Sequence, residues 1–406
     1  MSKILILIGA HLCTAPRPQK EADILAAAGH EVVVRGVWFD PGLVERDRQI
    51  IAQKPWRFQP VLDFRPCHWF TNRWVRLTRK LARQQFQRRG QPVPDLFGYG
   101  ARAMLKAALQ EQADLTIVHS EAGLWVGSHL LQRAWRVGVD FEDWFSEDLL
   151  PAALLTRPIH ALKGLEATLM QHCAYRLTTS HALAATLSTV YQAPPPTVIY
   201  NLFPATNSSL QVLSPRATTV ARLHWFSQTI GPGRGLETLF QALPALHLPV
   251  EIHLRGHYPD HARQWLEPQI PERWRDRVFV HPTVPNDELP ARIAEHDIGL
   301  ALEQPDPPSR NLTITNKLFQ YLQAGLAVIA TDTAGQREVF QQCPPIGHLI
   351  PAQNPLALAA AITDLIQHPH LLQTAKQAAR QALTQQFSWD HQCDRLLQAA
   401  EHALRS

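Results

Sequence analysis

Two stretches in the second half of the chain combine free backbone amides with positive charge. The first, "WFSQTIGPGRGLETLF", contains Gly231, Gly233 and Gly235, with Arg234 between the last two, and a helix is expected to begin near Gly235. Free N–H groups at a helix N-terminus, together with the helix dipole, favour a bound anion. The stretch matches neither GxGxxG nor a Walker loop. It predicts a phosphate site, with a plain Gly/Pro turn as the alternative.

The second stretch is "NLTITNKLFQYLQAGLAVIATDTAGQREV", in which an apolar helix has a polar start. Thr313, Thr315, Asn316 and Lys317 surround that start, and Gly325 marks its end. Thr315 is a suitable N-cap. A lysine is slightly unfavourable at this end of a helix, so its position indicates a nearby anion; the alternative is a solvated first-turn lysine. Two helix N-termini, each with a basic residue beside it, predict a diphosphate-binding site.

Polar residues also follow the expected strands of the first half. They are Gly9, His11 and Arg17 after "KILILIGA", His119 and Glu121 after "ADLTIV", and Asp140, Glu142 and Asp143 in "VDFEDWFSED". A carboxylate at such a strand end can accept a proton or a hydrogen bond from a hydroxyl group of a ligand. The alternatives are helix-capping acids and an ordinary tight loop after the first strand.

Strand-like and helix-like segments alternate along both halves, which predicts parallel βαβ units. The alternation pauses at "LFPATNSSLQVLSPRA" (202–217), which lacks periodicity and is interpreted as an interdomain linker. We therefore expect an α/β fold of two doubly wound Rossmann-like domains, residues 1–205 and 206–387, facing across a ligand-binding cleft.

Composition narrows the class of protein. The 406 residues are 45% hydrophobic and 18% charged, which indicates a globular chain of two or three domains. The 5 cysteines form no CxxC pair and the 20 histidines no HExxH motif, so neither a disulfide framework nor a metal site is predicted. The start "MSKILILIGAHLC" is expected to be a buried strand rather than a signal peptide. No run approaches the ~18 apolar residues of a membrane span, so we expect a soluble or peripheral chain. The scattered cysteines fit a reducing compartment, so we expect that chain in the cytoplasm.

Residues 65–90 are rich in arginine and contain no acidic residue. Helical spacing puts apolar residues on one stripe and basic residues on the adjacent one: Phe70, Trp74, Leu77 and Leu81, then Arg73, Arg76, Lys80 and Arg83. This basic amphipathic helix suits an anionic membrane surface, at the inner face of a membrane, or a phosphate-bearing acceptor. The alternative is an ordinary surface helix with its apolar face in the core.

With these motifs in view, the chain resembles GT-B glycosyltransferases, especially glycosyltransferase family 4. "GPGRGLETL", "DIGLAL", "NKLFQYLQAGLAVIATDTAGQREV" and "FSWD" resemble the nucleotide-sugar domain, and "VGVDFEDWFSEDLLP", "SHALAATLSTVY" and "PTVIYNLFP" look like the acceptor half. The resemblance implies a UDP- or GDP-sugar in the second domain and an acceptor in the first. It also implies that a final helix, 388–406, crosses back to the first domain.

The sequence departs from the family pattern at several positions. Arg234 stands where a lysine usually holds the diphosphate, and Ser227 and Gln228 stand near the place of a second arginine. Leu312 and Gln320 stand where the family has a pair of glutamates. Gln320 can still hydrogen-bond a ribose. Asn311 and the polar residues beside Lys317 are candidates for replacement contacts.

The residues and the resemblance together define a candidate site. The predicted donor-binding residues are Ser227, Gln228, Gly231, Gly233, Arg234, Gly256, Thr313, Thr315, Asn316, Lys317 and Gln320. The predicted acceptor-binding residues are Gly9, His11, Arg17, His119, Glu121 and Asp143. The predicted catalytic residues are Glu142, Asp143, Arg234 and Lys317.

The predicted function is transfer of a sugar from a nucleotide-diphosphate sugar to a glycan or glycolipid in surface polysaccharide synthesis. Positive charge and helix starts stabilise a departing diphosphate, and no DxD motif lies between suitable strands, so no cofactor or obligatory metal is predicted. Retention of configuration is implied by the resemblance alone. A non-catalytic sugar or nucleotide binder and a nucleotide-sugar epimerase remain alternatives. A dehydrogenase is disfavoured because GxGxxG does not follow the first strand, and no nucleic-acid partner is predicted.

Overall fold

The computed structural model describes residues 1–149, 156–203, 220–286 and 288–405. The chain divides into two compact units. The first contains residues 1–179, 183–199 and 392–406, and the second contains 180–182 and 200–391. The predicted linker, 202–217, and the predicted boundary at 205/206 lie almost wholly outside the described residues, in 204–219. The predicted domain bounds therefore stay a prediction.

The first unit is built on a seven-stranded parallel sheet in the order β3-β2-β1-β4-β5-β6-β7. Its strands are β1 Lys3–Leu7, β2 Glu31–Trp38, β3 Arg57–Asp63, β4 Leu115–Val118, β5 Val137–Phe141, β6 Tyr175–Thr178 and β7 Thr197–Val198. Its helices are α1 Pro16–Ala27, α2 Pro41–Ile51, α3 Trp69–Arg89, α4 Ala101–Glu111, α5 Ser120–Leu131, α6 Ile159–His172 and α7 His181–Tyr191. The strand order reverses between β1 and β4, and ligands bind beside such a reversal in open parallel sheets.

The second unit repeats the plan with six parallel strands in the order β10-β9-β8-β11-β12-β13. The strands are β8 Ala221–Thr229, β9 Val250–His257, β10 Val278–His281, β11 Ile298–Ala301, β12 Ala327–Thr331 and β13 Gly347–Ile350. The helices are α8 Leu236–Ala242, α9 Asp260–Leu266, α10 Leu289–Ala294, α11 Pro308–Leu312, α12 Asn316–Ala324, α13 Ala334–Gln342, α14 Pro355–Gln367 and α15 Pro369–Gln385. Here the order reverses between β8 and β11. A last helix, α16, spans Trp389–Arg405.

The two sheets confirm the predicted α/β class of two Rossmann-like units. Central strands are apolar and buried on both faces, as parallel strands between helix layers require; all five residues of β12 are buried, for example. The signal-like start forms β1, in which Ile4, Leu5 and Ile6 are fully buried.

Some elements give no clear signal in the sequence. The edge strand β3 reads "RFQPVLD", with Pro60 inside it and most of its residues partly exposed. Proline is tolerated in edge strands because one side of the strand makes no ladder hydrogen bonds, but it weakens the strand pattern. The three-residue element Pro344–Ile346 and the short strand β13 after it are also missed.

No helix among the described residues has the length and apolar character needed to cross a membrane.

Candidate functional site

The glycine-rich loop lies at the strand-order reversal of the second unit. It follows β8, and Gly235 caps α8 with φ +83°. A Cβ at Gly235 would lie 2.1 Å from the Leu302 carbonyl oxygen, just beyond β11. Only glycine permits this approach of the two loops. Gly231 and Gly233, in contrast, face open space, since an added Cβ would meet nothing within 4 Å.

Lys317 reaches the same reversal from the first turn of α12, and it is paired with a residue that the sequence prediction did not include. Its ammonium group forms a buried ion pair with Glu303, which follows β11. Thr315 occupies the predicted N-cap position of α12, but its hydroxyl donates to Glu303 at 3.3 Å rather than capping the helix. Lys317 also lies 5.6 Å from the centre of the Trp225 ring. Lys317 is therefore a buried, partnered cation and not a solvated lysine.

Two arginines add positive charge around this ion pair. Arg234 is exposed, and Arg310 on α11 donates to the Gly233 carbonyl oxygen at 3.2 Å. Burial lowers the pKa of Lys317, and both arginines lower it further, although Glu303 opposes them. Burial alone would raise the pKa of Glu303, but Lys317 and the two arginines hold it below its usual range. Three cations thus stabilise the charged form of one buried carboxylate.

One amide of the loop is engaged within the protein. The Gly233 N–H donates to the Glu237 carboxylate at 2.7 Å. Glu237 sits in the first turn of α8, where an acid is favourable. With Glu303 it leaves the cluster of Arg234, Arg310 and Lys317 with one net positive charge.

Gln320, one turn after Lys317 on α12, has an unsatisfied polar atom. Its side chain is 9% exposed, and its amide oxygen is buried without a hydrogen-bond partner. A buried acceptor without a donor costs free energy, and a hydroxyl from a ligand would satisfy it.

The other predicted donor residues are more dispersed. Ser227 and Gln228 end β8, and Gly256 allows β9 to approach, because its Cβ would meet the Ser227 carbonyl oxygen at 2.7 Å. Asn316 is exposed and accepts from the Asn201 side chain at 2.6 Å. Thr313 follows α11, where its carbonyl oxygen packs against the start of α13.

Leu312 and Asn311 also serve local structure. The Leu312 carbonyl oxygen accepts from the Ser180 hydroxyl at 2.6 Å. The Asn311 amide oxygen accepts from the first N–H of α13, at Ala334, at 3.2 Å. Asn311 therefore already caps a helix, and its predicted role as a replacement contact to the nucleotide-sugar gains no support.

In the first unit, His119 stands at the carboxyl end of β4 between two carboxylates. Its Nδ1 lies 2.6 Å from Glu142 and its Nε2 lies 2.7 Å from Glu21. Burial lowers the pKa of His119, but the charge of Glu21 and the two hydrogen bonds raise it to about 10. Both ring nitrogens therefore donate, and the side chain is an imidazolium at neutral pH. Tyr175 donates its hydroxyl to Glu21 as well.

Glu142 is the open member of this network. Its side chain is 33% exposed, whereas those of His119 and Glu21 are almost fully buried. Burial raises the pKa of Glu142, but the hydrogen bond from His119 and nearby positive charge lower it below its usual range. Glu142 is thus a fixed carboxylate, better suited to accept hydrogen bonds from hydroxyls than to take up a proton.

Arg17 and Asp140 form a second buried pair beside it. Arg17 donates to Asp140 at 2.6 Å, to the Ile199 carbonyl oxygen at 2.7 Å and to the Thr178 carbonyl oxygen at 3.3 Å. These bonds join α1 to the ends of three strands. The predicted acceptor contact of Arg17 gains no support, because its guanidinium is occupied inside the unit.

His11 is likewise engaged on both ring nitrogens. It donates from Nδ1 to Asp47 at 3.0 Å, and its Nε2 accepts from the Phe39 and Asp40 N–H groups at 2.9 and 3.1 Å. His11 is fully buried. Its position explains the packing of the loop after β1 and gives no support to an acceptor contact.

The remaining predicted acceptor residues lie near the same strand ends. A Cβ at Gly9 would meet the Ser120 hydroxyl oxygen at 2.5 Å, so glycine is needed where the loops after β1 and β4 touch. Glu121 pairs with Arg157. Asp143 is half-buried just after Glu142 and has its own partners.

One group of described side chains has the spacing of a metal site. Ligand atoms of Glu21, His119 and Asp140 lie within 4.8 Å of one another. Both ring nitrogens of His119 lie at hydrogen-bonding distance from carboxylates, and Arg17 already supplies a cation to Asp140. The donor set as arranged fits an internal ion network better than a metal centre.

Sequence reasoning missed several residues of both clusters. Glu303 comes directly after "DIGLAL", at a strand end, so the rule that singles out Asp140 and Glu142 applies to it equally. Arg310 and Glu237 give no comparable signal, because each acts through a loop contact across the chain. Glu21 lies on an ordinary helical stripe of α1.

Comparison with known proteins agrees with this geometry. Residues 234–398 match the family described as "Glycosyl transferase-like". No curated protein sequence matches the chain. The predicted resemblance to GT-B glycosyltransferases and the predicted class of enzyme, a glycosyltransferase, are confirmed at this level, while membership of glycosyltransferase family 4 stays a prediction.

Solved structures share the fold along the whole chain. Sucrose-phosphate synthase from Thermosynechococcus elongatus has a TM-score of 0.72 at 15% identity, over 100% of both chains. HepE from Anabaena in complex with UDP-glucose has a TM-score of 0.69 at 16% identity, over 99% of this chain and 100% of its own. A putative UDP-N-acetylglucosamine 2-epimerase from Listeria monocytogenes has a TM-score of 0.60 at 12% identity, over 98% and 95%.

Proposed function

We propose that this protein transfers a sugar from a nucleotide-diphosphate sugar to a hydroxyl of a glycan or glycolipid. The observation that carries the proposal is the convergence of Arg234, Arg310 and Lys317 on the buried Glu303, at the strand-order reversal of the second unit. Parallel sheets of this kind bind ligands at that point. A surplus of positive charge there suits a diphosphate.

In the proposed reaction, the bond from the anomeric carbon to the diphosphate breaks and a bond to the acceptor oxygen forms. Negative charge grows on the departing phosphate oxygen. Arg234, which is exposed at the loop, and Arg310, which is held against Gly233, supply charge-assisted hydrogen bonds to it. The acceptor proton leaves to a phosphate oxygen or to solvent. Lys317 neutralises Glu303, so the buried carboxylate does not cancel the charge of the two arginines.

Gln320 is the proposed contact to the ribose. Its buried, unpartnered amide oxygen can accept a hydrogen bond from a hydroxyl group, and a ribose supplies such a group. A uracil nucleotide is the first choice of donor, because the similar fold of HepE is known with UDP-glucose. GDP remains the second choice.

On the acceptor side, we propose that Glu142 accepts hydrogen bonds from sugar hydroxyls, with His119 holding it in place. Its lowered pKa keeps it ionised at neutral pH. Asp143 is proposed to contribute beside it. We further propose that transfer retains anomeric configuration, needs no divalent ion because Arg234 and Arg310 donate hydrogen bonds to the departing diphosphate, and serves surface polysaccharide synthesis.

The test has two stages. Thermal shift with UDP, GDP and ADP should raise Tm with one of them, since a ligand that binds only the folded state stabilises it. Incubation with UDP-glucose and UDP-N-acetylglucosamine, with and without sugar acceptors, should then release UDP. Conversion to an epimer without UDP release would identify an epimerase. Binding without any turnover would identify a non-catalytic binder, and stabilisation by none of the nucleotides would reject the proposal.

A further inference from the structure

Helix α3 presents a solvent-exposed apolar stripe on the side away from its own unit. Residues 70, 74, 77 and 81 repeat at helical spacing and lie on one face. Their exposed fractions are 81% for Phe70, 67% for Trp74, 47% for Leu77 and 52% for Leu81. Trp69 at the start of the helix is 49% exposed. The alternative of an ordinary surface helix with its apolar face in the core is therefore wrong.

The opposite face of α3 makes the contacts with the unit. Ala82 is its one buried residue, and Val75, Arg79 and Phe86 are half-buried on the same side. The Arg79 guanidinium lies 4.2 Å from the centre of the Tyr99 ring. The inner face of the helix therefore packs against the unit. The apolar outer face is exposed because it lies on the opposite side.

The apolar stripe stands out from the rest of the described surface. Twelve large hydrophobic residues are exposed, and five of them lie on this one helix. Among the other seven, only Phe279 and Val280 are neighbours in sequence, and single exposed apolar residues are normal. A contiguous exposed patch of this kind marks an interaction surface.

Positive charge lines one edge of the stripe. Arg73, Arg76, Lys80 and Arg83 are all exposed, and no acidic residue occurs between Asp63 and Asp95. The Arg73 guanidinium lies 4.3 Å from the centre of the Trp69 ring, so charge and aromatic surface are presented together. The partner must therefore be both apolar and negatively charged.

We propose that α3 docks this protein on an anionic lipid bilayer, with the apolar stripe inserted at the level of the headgroups. Aromatic residues favour that depth, and arginine and lysine stems reach outward to lipid phosphates. Each basic residue near an anionic surface contributes about 1 kcal/mol. A second copy of this chain does not fit as the partner, since pairing two α3 helices would bring two sets of basic residues together with no acid to balance them.

The experiment is flotation of the whole protein with vesicles of phosphatidylcholine alone or with phosphatidylglycerol added to about one third. Wild type should float with the anionic vesicles only, and the bound fraction should fall several-fold when salt is raised from low to high. Substitution of the stripe (Phe70→Ser, Trp74→Ser, Leu77→Ser) and of the edge (Arg73→Gln, Arg76→Gln, Lys80→Gln) should each reduce binding at least tenfold.

Matched variants test whether binding depends on the residues of α3 or only on the net charge and exposed apolar residues of the whole protein. Arg263→Gln, Arg292→Gln and Arg405→Gln remove three exposed arginines elsewhere and give the same net charge as the edge variant. Leu356→Ser removes an apolar residue that is 72% exposed on α14. Both controls should float like wild type, and all variants should keep their helical circular dichroism, because the changed residues are exposed.

The result is independent of enzyme activity. The proposal is overturned if wild type does not bind anionic vesicles, if the arginine control loses binding as the edge variant does, or if Trp74→Ser dissolves a dimer in sedimentation without changing flotation. Loss of UDP binding in the assay above would leave this test unaffected.

Discussion

Each unit contains a reversal of strand order, but the charged side chains beside the two reversals differ in sign and in exposure. In the first unit, the charges near the reversal are almost balanced inside the protein: His119 lies between Glu21 and Glu142, and Arg17 lies against Asp140. The only part of this network that reaches the surface is a carboxylate, Glu142. In the second unit, cations outnumber acids and the exposed charge is Arg234.

The difference supports a different proposed partner for each reversal. A carboxylate held by a buried imidazolium is a hydrogen-bond acceptor and suits neutral hydroxyls, whereas loops with surplus positive charge suit a diphosphate. The topology alone predicts a ligand at both reversals, but it does not say which ligand binds at which one. Individual side chains make the assignment, so substitutions at each reversal should fail in different ways.

The largest effect is expected at the buried ion pair of the second unit. Lys317→Met leaves Glu303 buried without its partner and should lower the free energy of unfolding by about 3–5 kcal/mol. Lys317→Met with Glu303→Gln should recover part of that loss, because no uncompensated charge remains. Thermal unfolding monitored by circular dichroism measures both.

A more exposed pair in the same unit supplies the control for Lys317. Lys376 lies 3.0 Å from Asp297, and their side chains are 17% and 24% exposed. Lys376→Met should cost about 1 kcal/mol or less, since water screens a partly exposed pair. Equal losses of Tm in the two methionine variants would contradict the buried-pair interpretation.

The next effect concerns ligand binding alone. Arg234→Gln with Arg310→Gln removes two charge-assisted hydrogen bonds to the proposed diphosphate and should weaken UDP binding about 100-fold, at about 1.4 kcal/mol each. Isothermal titration with UDP measures it. Arg273, which donates to the Leu243 and Pro244 carbonyl oxygens, is the matched arginine: Arg273→Gln should bind UDP like wild type.

In that experiment, uridine shows whether the double variant has lost the diphosphate contacts or has a generally damaged binding site. It lacks the diphosphate, so its weaker binding should be unaltered in the arginine double variant. If UDP and uridine lose affinity equally, the two arginines do not contact the diphosphate.

Much of this architecture is predictable from sequence, and the limits have physical causes. Alternating apolar segments predict the parallel sheets, and glycine spacing predicts the loop at Gly235, because both are local patterns. The partner of Lys317 depends on which strand lies beside which, and the occupied state of His11 depends on residues 28 to 36 positions away. Such contacts are set by the tertiary fold. Periodicity does predict the apolar stripe of α3, but it does not say which face meets the core.

A smaller effect is expected from pH at the first unit. The pKa of His119 is about 10 in the folded protein and near 6.5 when unfolded. Its stabilising charge is therefore fully present below pH 6.5 and lost as pH rises through about 10. His119→Gln should lower Tm most at pH 6, by an amount equivalent to about 2 kcal/mol, and least at pH 9.5. A Tm difference that stays constant with pH would show that His119 is not charged.

The smallest effect tests the ribose contact, and it sharpens the comparison because it involves no charge. Gln320→Leu should weaken UDP binding by about 1 kcal/mol, or roughly fivefold, since one neutral hydrogen bond is lost. Wild type should also bind 2′-deoxy-UDP or 3′-deoxy-UDP that much more weakly than UDP, whereas Gln320→Leu should bind UDP and that deoxy form alike. Gln323→Leu, on the same helix, should discriminate as wild type does. If Gln320→Leu still prefers UDP over both deoxy forms, the unpartnered amide oxygen of Gln320 does not receive a ribose hydroxyl, and the second unit recognises its ligand through the diphosphate cations alone.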